Sequence, residues 1–205
     1  MKKSAIRNLI VIAASAGGIS PLTQVISQLP KGLEAAVIVV QHLSTNRETG
    51  LPELLSHQSD LKISLAEDGM TLEVGQVYIA EPGKHLLVED EVLSVVFSAR
   101  VHYVRPSADL LFVSAAGSFG RRVTGIVLSG TGKDGALGCV TIKAKGGTTI
   151  AQDEKTSRYF GMPKAAIDAN AVDYVLPVEE IAGKIVELIG TTIEKRVFTA
   201  ELCGE

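Results

Sequence analysis

The chain alternates between runs of consecutive apolar residues and longer stretches whose apolar positions recur at helical spacing. Uninterrupted apolar runs belong to strands buried on both faces, and helices between them supply the crossovers of a parallel sheet. The pattern predicts strands over 9–14, 36–41, 125–129 with Val123, 148–152 and 173–176. It predicts helices over about 19–29, 51–58, 107–117, 134–145, 163–169 and 178–189. The fold class that follows is α/β, a doubly wound, mainly parallel, Rossmann-like sheet.

One region breaks this rhythm. The runs 76–80, 85–89 and 92–97 are short, extended and separated by Pro-Gly and Glu-Asp-Glu turn signals, which predicts an antiparallel hairpin or meander at one sheet edge. With no internal repeat or linker, residues 1–190 read as one domain, and 191–205 as a loosely held tail.

Composition narrows the function classes. A length of 205 residues suffices for one substantial core without disulfides or a structural metal. The net charge of -3 and the lack of a basic stripe argue against nucleic acid as a partner. Cys139 and Cys203 have neither CxxC nor Cys/His spacing, so no disulfide framework or zinc site is expected, and the compartment expected is the reducing cytoplasm. Two lysines open the chain, but the short apolar run after them makes no export signal, and no run reaches the ~18 residues of a membrane span. Membrane insertion is therefore not expected.

In an open α/β sheet, ligands bind beyond the carboxyl ends of the strands. Ser15 follows the first strand, His42 the second, and Asp134 follows the strand near 125–129 through a glycine-rich turn. Together they make the constellation of nucleophilic acyl transfer, with Ser15 expected at a helix N-terminus whose free N–H groups favour an oxyanion. Each has a plainer reading. Small residues around Ser15 let a helix pack closely on the sheet, His42 competes with His57, His85 and His102, and Asp134 suits an N-cap. The order Ser, His, Asp differs from that of α/β-hydrolases, and Ala13 spoils the G-x-S-x-G elbow. A competing reading comes from Gly130, Gly132 and Gly135, which fit G-x-G-x-x-G with Asp153 and Glu154 about 20 residues on, a dinucleotide fingerprint. Against it, Asp134 would lie beside the pyrophosphate, and the motif falls late in the chain. The P-loop pattern is incomplete.

At these residues the sequence resembles the catalytic domain of the CheB-type chemotaxis protein-glutamate methylesterases, from about Val11 to Ala182. Six stretches carry the likeness in family order: Ile12 to Gly18; Val40 to Leu43; Val77 to Ala80 with Gly83 to Leu87; Arg105 to Ser107 with Asp109; Leu128 to Ala136; and Ala151 to Glu154 with Phe160 to Ala166. The resemblance implies Ser15 as nucleophile, His42 as general base and then acid, and Asp134 as the carboxylate orienting the imidazole. It implies hydrolysis of glutamate γ-methyl esters on the cytoplasmic helices of methyl-accepting chemoreceptors, with glutamine deamidation in some members and no cofactor. Ala16, Gly17 and Thr131 would shape the oxyanion and substrate pocket.

Three positions depart from the family pattern. Ala13 and Ala16 stand where it commonly has Gly and Thr, and Thr131 where it has Met. A catalytically degenerate receptor-binding adaptor is thus an alternative. Family members usually carry an N-terminal receiver domain, whereas here the nucleophile is at position 15. The expectation is a constitutive esterase, control by a separate response regulator, or a catalytic part of a longer product. Arg105 reads as a contact for acidic receptor side chains or as a packing residue, and 152–158 as a substrate-facing loop or a solvated charge run. Met162-Pro163 is expected to start a helix, and His85 to be structural.

Overall fold

The computed structural model describes residues 6–43 and 49–190. The expected tail and Cys203 lie outside the described residues. Seven strands form one parallel sheet: β1 (Asn8–Ala14), β2 (Ala35–Gln41), β3 (Lys62–Leu65), β4 (Gln76–Ile79), β7 (Val123–Val127), β8 (Thr148–Gln152) and β9 (Tyr174–Leu176). Their order is β3-β4-β2-β1-β7-β8-β9. A separate antiparallel pair is made by β5 (His85–Glu89) and β6 (Val92–Val96). Among the described residues six α-helices accompany them: α1 (Ile19–Ser27), α2 (Leu51–Ser56), α3 (Ala108–Phe119), α4 (Ala136–Ala144), α5 (Gly161–Asp168) and α6 (Val178–Ile189).

The pleat sorts the apolar runs into two cores. Leu9, Val11 and Ala13 of β1 face one side with α3, α4 and α5, while Ile10, Ile12 and Ala14 face the other with α1, α2 and α6. Period-two alternation in a strand buried on both faces requires both sets to be apolar, which is why β1 and β2 read as unbroken runs. Each fully buried Leu, Ile or Val contributes roughly 1.5–3 kcal/mol over exposure.

The hairpin expectation divides. His85–Glu89 and Val92–Val96 do pair as a hairpin, but as a sheet of their own packed on α3, where Leu86, Val88 and Leu93 join Leu111 and Ala115 in one core. The run at 76–80 is instead β4, a parallel strand flanked by β2 and β3, and all four of its residues are buried. Burial on both faces is the mark of an interior parallel strand, and β3 beside it is too short and polar to be read from pattern alone.

Candidate active site

The chain runs outward from β1 to β2 on one side and from β1 to β7 on the other, so the β1/β7 boundary is the topological switch point. Loops leaving the carboxyl ends of those strands diverge there and leave a crevice. Ser15 directly follows β1, His42 directly follows β2, and Gly130 to Gly135 lies between β7 and α4.

Ser15 does not stand at the helix N-terminus that the sequence led us to expect. A turn closed by the Gly18 N–H on the Ser15 carbonyl (2.9 Å) separates it from α1, and its third residue, Gly17, has φ +67°. The Ser15 N–H is spent on the Ser129 carbonyl (3.0 Å). The backbone N–H groups of Ala16, Gly17 and Thr131 have no hydrogen-bond partner among the described residues. Gly130 is required by close approach: a Cβ there would lie 2.9 Å from Ser15 Cβ and 2.3 Å from Met162 Sδ.

His42 is tied to the same turn. Its N–H donates to the Ala14 carbonyl (2.9 Å), and the Gln41 side-chain amide spans the carbonyls of Ser15 (2.9 Å) and His42 (3.0 Å). The imidazole Nε2 is 2.9 Å from Asp134 Oδ2, with the ring 11% exposed. An ionised carboxylate only accepts, so Nε2 carries the proton and Nδ1 is left as the basic nitrogen.

Asp134 is not the N-cap of its own helix. Gly135 occupies that position in the left-handed region, and α4 receives no side-chain cap from the residue before it. The Asp134 carboxylate reaches instead to the start of α3, accepting from Ala108 N–H (2.6 Å), Asp109 N–H (3.1 Å) and Ser107 Oγ (2.8 Å) besides His42. Burial pushes its carboxyl up, but the bonds from His42, the two backbone N–H groups and Ser107 outweigh that and hold it below the ordinary value. The positive end of α3 favours the same ionised state.

The surrounding side chains were mostly silent in the sequence. Ser129 Oγ donates to the Ala16 carbonyl (2.9 Å) and accepts from Tyr159 N–H (3.0 Å), joining the Ser15 turn to the 153–160 loop. Gln152 Oε1 accepts from Ser129 N–H (2.9 Å). His85 is fully buried, its Nδ1 accepting from Ser107 N–H (3.1 Å) and its Nε2 bonded to the Ala99 carbonyl (2.9 Å), the structural role expected of it. Gln41, Ser129 and Gln152 lie within the stretches that carry the family likeness, but no local pattern gave them a role. Only their place at strand ends could have singled them out.

The remaining candidates hold the loops and core around the centre. Arg105 lies over the Phe97 ring at 4.0 Å and donates to the Ser98 carbonyl, so it braces its own loop. Asp153 Oδ1 accepts from Thr156 N–H (2.9 Å) and Oγ1 (2.6 Å), folding the 152–158 segment on itself. Met162 is fully buried in the core, and Met162 and Pro163 stand in the first turn of α5, the helix start expected of them. Cys139 is a free, buried thiol, pushed up to about 12 chiefly by burial. No group of three or more His, Cys, Asp or Glu residues among the described residues has the arrangement of a metal site.

A doubly wound α/β domain with a serine, and a histidine bonded to a carboxylate, at the switch point belongs to a class distinct from the α/β-hydrolases, since its chain order is Ser, His, Asp. Residues 10–185 match the family model described as CheB methylesterase, and the chain belongs to that family. It is 41% identical over 187 residues to the protein-glutamate methylesterase/protein-glutamine glutaminase of Pyrococcus horikoshii, covering 89% of this chain and 51% of that one. A relative from Leptospira interrogans, provisionally given the same double name, is 36% identical and is covered to 97%. The chain thus spans about half the length of the first of these relatives and nearly all of the second. The crystal structure of the Thermotoga maritima CheB methylesterase catalytic domain superposes with a TM-score of 0.85 at 36% identity, covering 88% of this chain and 98% of that one.

Proposed function

We propose that this chain is a serine esterase that removes methyl groups from glutamate γ-methyl esters on the cytoplasmic helices of chemoreceptors. The observation that carries it is the largely buried His42–Asp134 pair at 2.9 Å, with His42 following the strand next to the one that Ser15 follows. Membership of the CheB methylesterase family supports the substrate class.

In this mechanism Ser15 Oγ attacks the ester carbonyl while His42 Nδ1 takes its proton. The Asp134 carboxylate, already held ionised, stabilises the imidazolium and keeps the proton on Nε2. The tetrahedral oxygen is received by the unpaired N–H groups of Ala16 and Gly17, with Thr131 lining the other side. His42 then protonates methoxide as it leaves, giving methanol and an acyl-serine. Water, deprotonated by His42, attacks that acyl group and frees the glutamate carboxylate and Ser15. A glutamine side chain enters the same path with ammonia as the leaving group. No step calls for a cofactor. The setting is the cytoplasm, with the receptor as one partner and a separate response regulator as a second.

The dinucleotide reading is disfavoured by one observation. The α4 N-terminal N–H groups of Gly135 and Gly138, which would meet a pyrophosphate, are already taken by the Asp109 carboxylate.

The test is methanol release from a methylated chemoreceptor cytoplasmic fragment, with Ser15→Ala as the comparison. Release that disappears in the variant is the expected result. Receptor binding with no release from the unaltered protein would replace this reading with the adaptor one.

A further inference from the structure

A second carboxylate lies directly behind the first. Asp109, in the first turn of α3, is 3% exposed, and its Oδ1 accepts from Gly135 N–H (2.9 Å) and Gly138 N–H (2.8 Å) at the start of α4. Asp134, just before α4, sends its carboxylate the opposite way onto Ala108 and Asp109 N–H at the start of α3. The two helices therefore exchange caps. They meet closely enough that a Cβ at Gly138 would lie 2.4 Å from Phe112 Cβ.

Three titratable groups face Asp109: Asp134, His102 and the Cys139 thiol. His102 Nε2 is 3.3 Å from Asp109 Oδ2, an oxygen that is buried and makes no hydrogen bond. Burial, with the Asp134 charge, pushes the Asp109 carboxyl up, and the backbone bonds from Gly138 and Gly135 and the nearby His102 offset only part of this, leaving it above its ordinary value. A neutral Asn or Ser caps a helix as well as Asp does, and two buried carboxylates side by side repel. Capping α4 alone does not call for a charge at 109.

We propose that Asp109 is a positioning residue for the candidate triad: it anchors Gly135, so aiming the Asp134 carboxylate at His42, and its negative charge behind Asp134 adds to the field favouring an imidazolium at His42. This rests on the Ser15–His42–Asp134 reading. Asp109 touches neither the reacting serine nor the imidazole, and acts through the residue next to its anchor point.

The test compares the unaltered protein with Asp109→Asn and Asp109→Ala in two assays. One is the rate of Ser15 labelling by a fluorophosphonate as a function of pH. The other is the downfield NMR signal of the imidazole N–H bonded to Asp134, assigned by its absence from His42→Ala. Asn keeps an oxygen for Gly135 and Gly138, so Asp109→Asn should melt near the unaltered protein. Its labelling plateau should nonetheless fall about 3- to 10-fold, the size expected for coupled neighbours. Its acidic limb should move to lower pH, because a charge favouring the imidazolium is gone. Asp109→Ala, losing the anchor too, should label more slowly than Asp109→Asn and broaden or lose the N–H signal. A folded Asp109→Asn with unchanged plateau, pH profile and N–H signal overturns the proposal. If the unaltered protein does not label at all, the nucleophile reading fails, and the N–H signal alone decides: altered in Asp109→Ala it upholds the anchoring role of Asp109, unaltered in both variants it removes it.

Discussion

The two loops that meet at the switch point are held by opposite means. After β1, Ser15 to Gly18 is fixed by backbone bonds, Ser15 N–H to Ser129, Gly18 N–H to Ser15 and His42 N–H to Ala14, with small residues permitting close approach. After β7, Gly130 to Gly135 is fixed mainly at its far end, where Asp134 and Asp109 bond to the N-termini of each other's helices. The first arrangement leaves N–H groups free beside the serine. The second consumes every helix-terminal donor it reaches and so fixes a carboxylate in its ionised state. A nucleophile needs unspent donors near it, and the group that orients its base needs the reverse.

Substitutions on each side should separate the two. Ser15→Ala should have the largest effect on turnover, a loss of at least about 10⁴-fold in methanol release, since the proposed nucleophile is removed outright. Its melting temperature should stay near that of the unaltered protein, because the Ser15 hydroxyl bonds to none of the described residues. A Ser15→Ala protein that still releases methanol at more than a tenth of the original rate would end the comparison.

Asp134→Asn should cost on the order of 10⁴-fold in turnover, less than loss of the proposed nucleophile. Unlike Ser15→Ala it should also cost stability at neutral pH, about 1–3 kcal/mol by urea unfolding, because the buried bonds to the α3 terminus are weakened. The Asp134 carboxyl is held below its ordinary value, so its contribution is complete above the unfolded carboxylate value and is lost as pH falls through the folded one. The stability of Asp134→Asn should therefore fall less steeply than that of the unaltered protein on acidification. Parallel acid limbs for the two proteins would count against the ionised cap.

Gly130→Ala tests the backbone-held side. The added methyl group meets Met162 Sδ and Ser15 Cβ, and relieving that overpacking should cost about 1–3 kcal/mol and displace the serine. Turnover should fall while the acid limb keeps its shape. The smallest effect is expected of Ser129→Ala, about 1 kcal/mol for a buried hydroxyl bridging Ala16 and Tyr159. Phosphonate labelling should slow a few-fold as the Ser15 turn loosens, and an unchanged rate would show that the backbone bonds hold it without help.

The sequence by itself determined the layered fold and the three residues at the crevice. Apolar runs such as 9–14 and 36–41 admit few arrangements other than strands buried on both faces, and strand ends of a parallel sheet share one edge. Ser15, His42 and Asp134 were legible for that reason, and the family resemblance named the same three.

Tertiary structure decided what those residues bond to. Asp134 read as a cap for α4 because a local pattern sees only the helix that follows, whereas the close crossing of α3 and α4 offers it the neighbouring terminus. Ser15 read as a helix N-terminal residue because a turn and a first helical turn share their small residues. The run at 76–80 read as hairpin because nearby turn signals outweighed an identity that only its two flanking strands, β2 and β3, supply. For Asp134 and the 76–80 run the deciding partner lies more than 20 residues away or on another strand, beyond the reach of any local period, whereas for Ser15 it is a local turn.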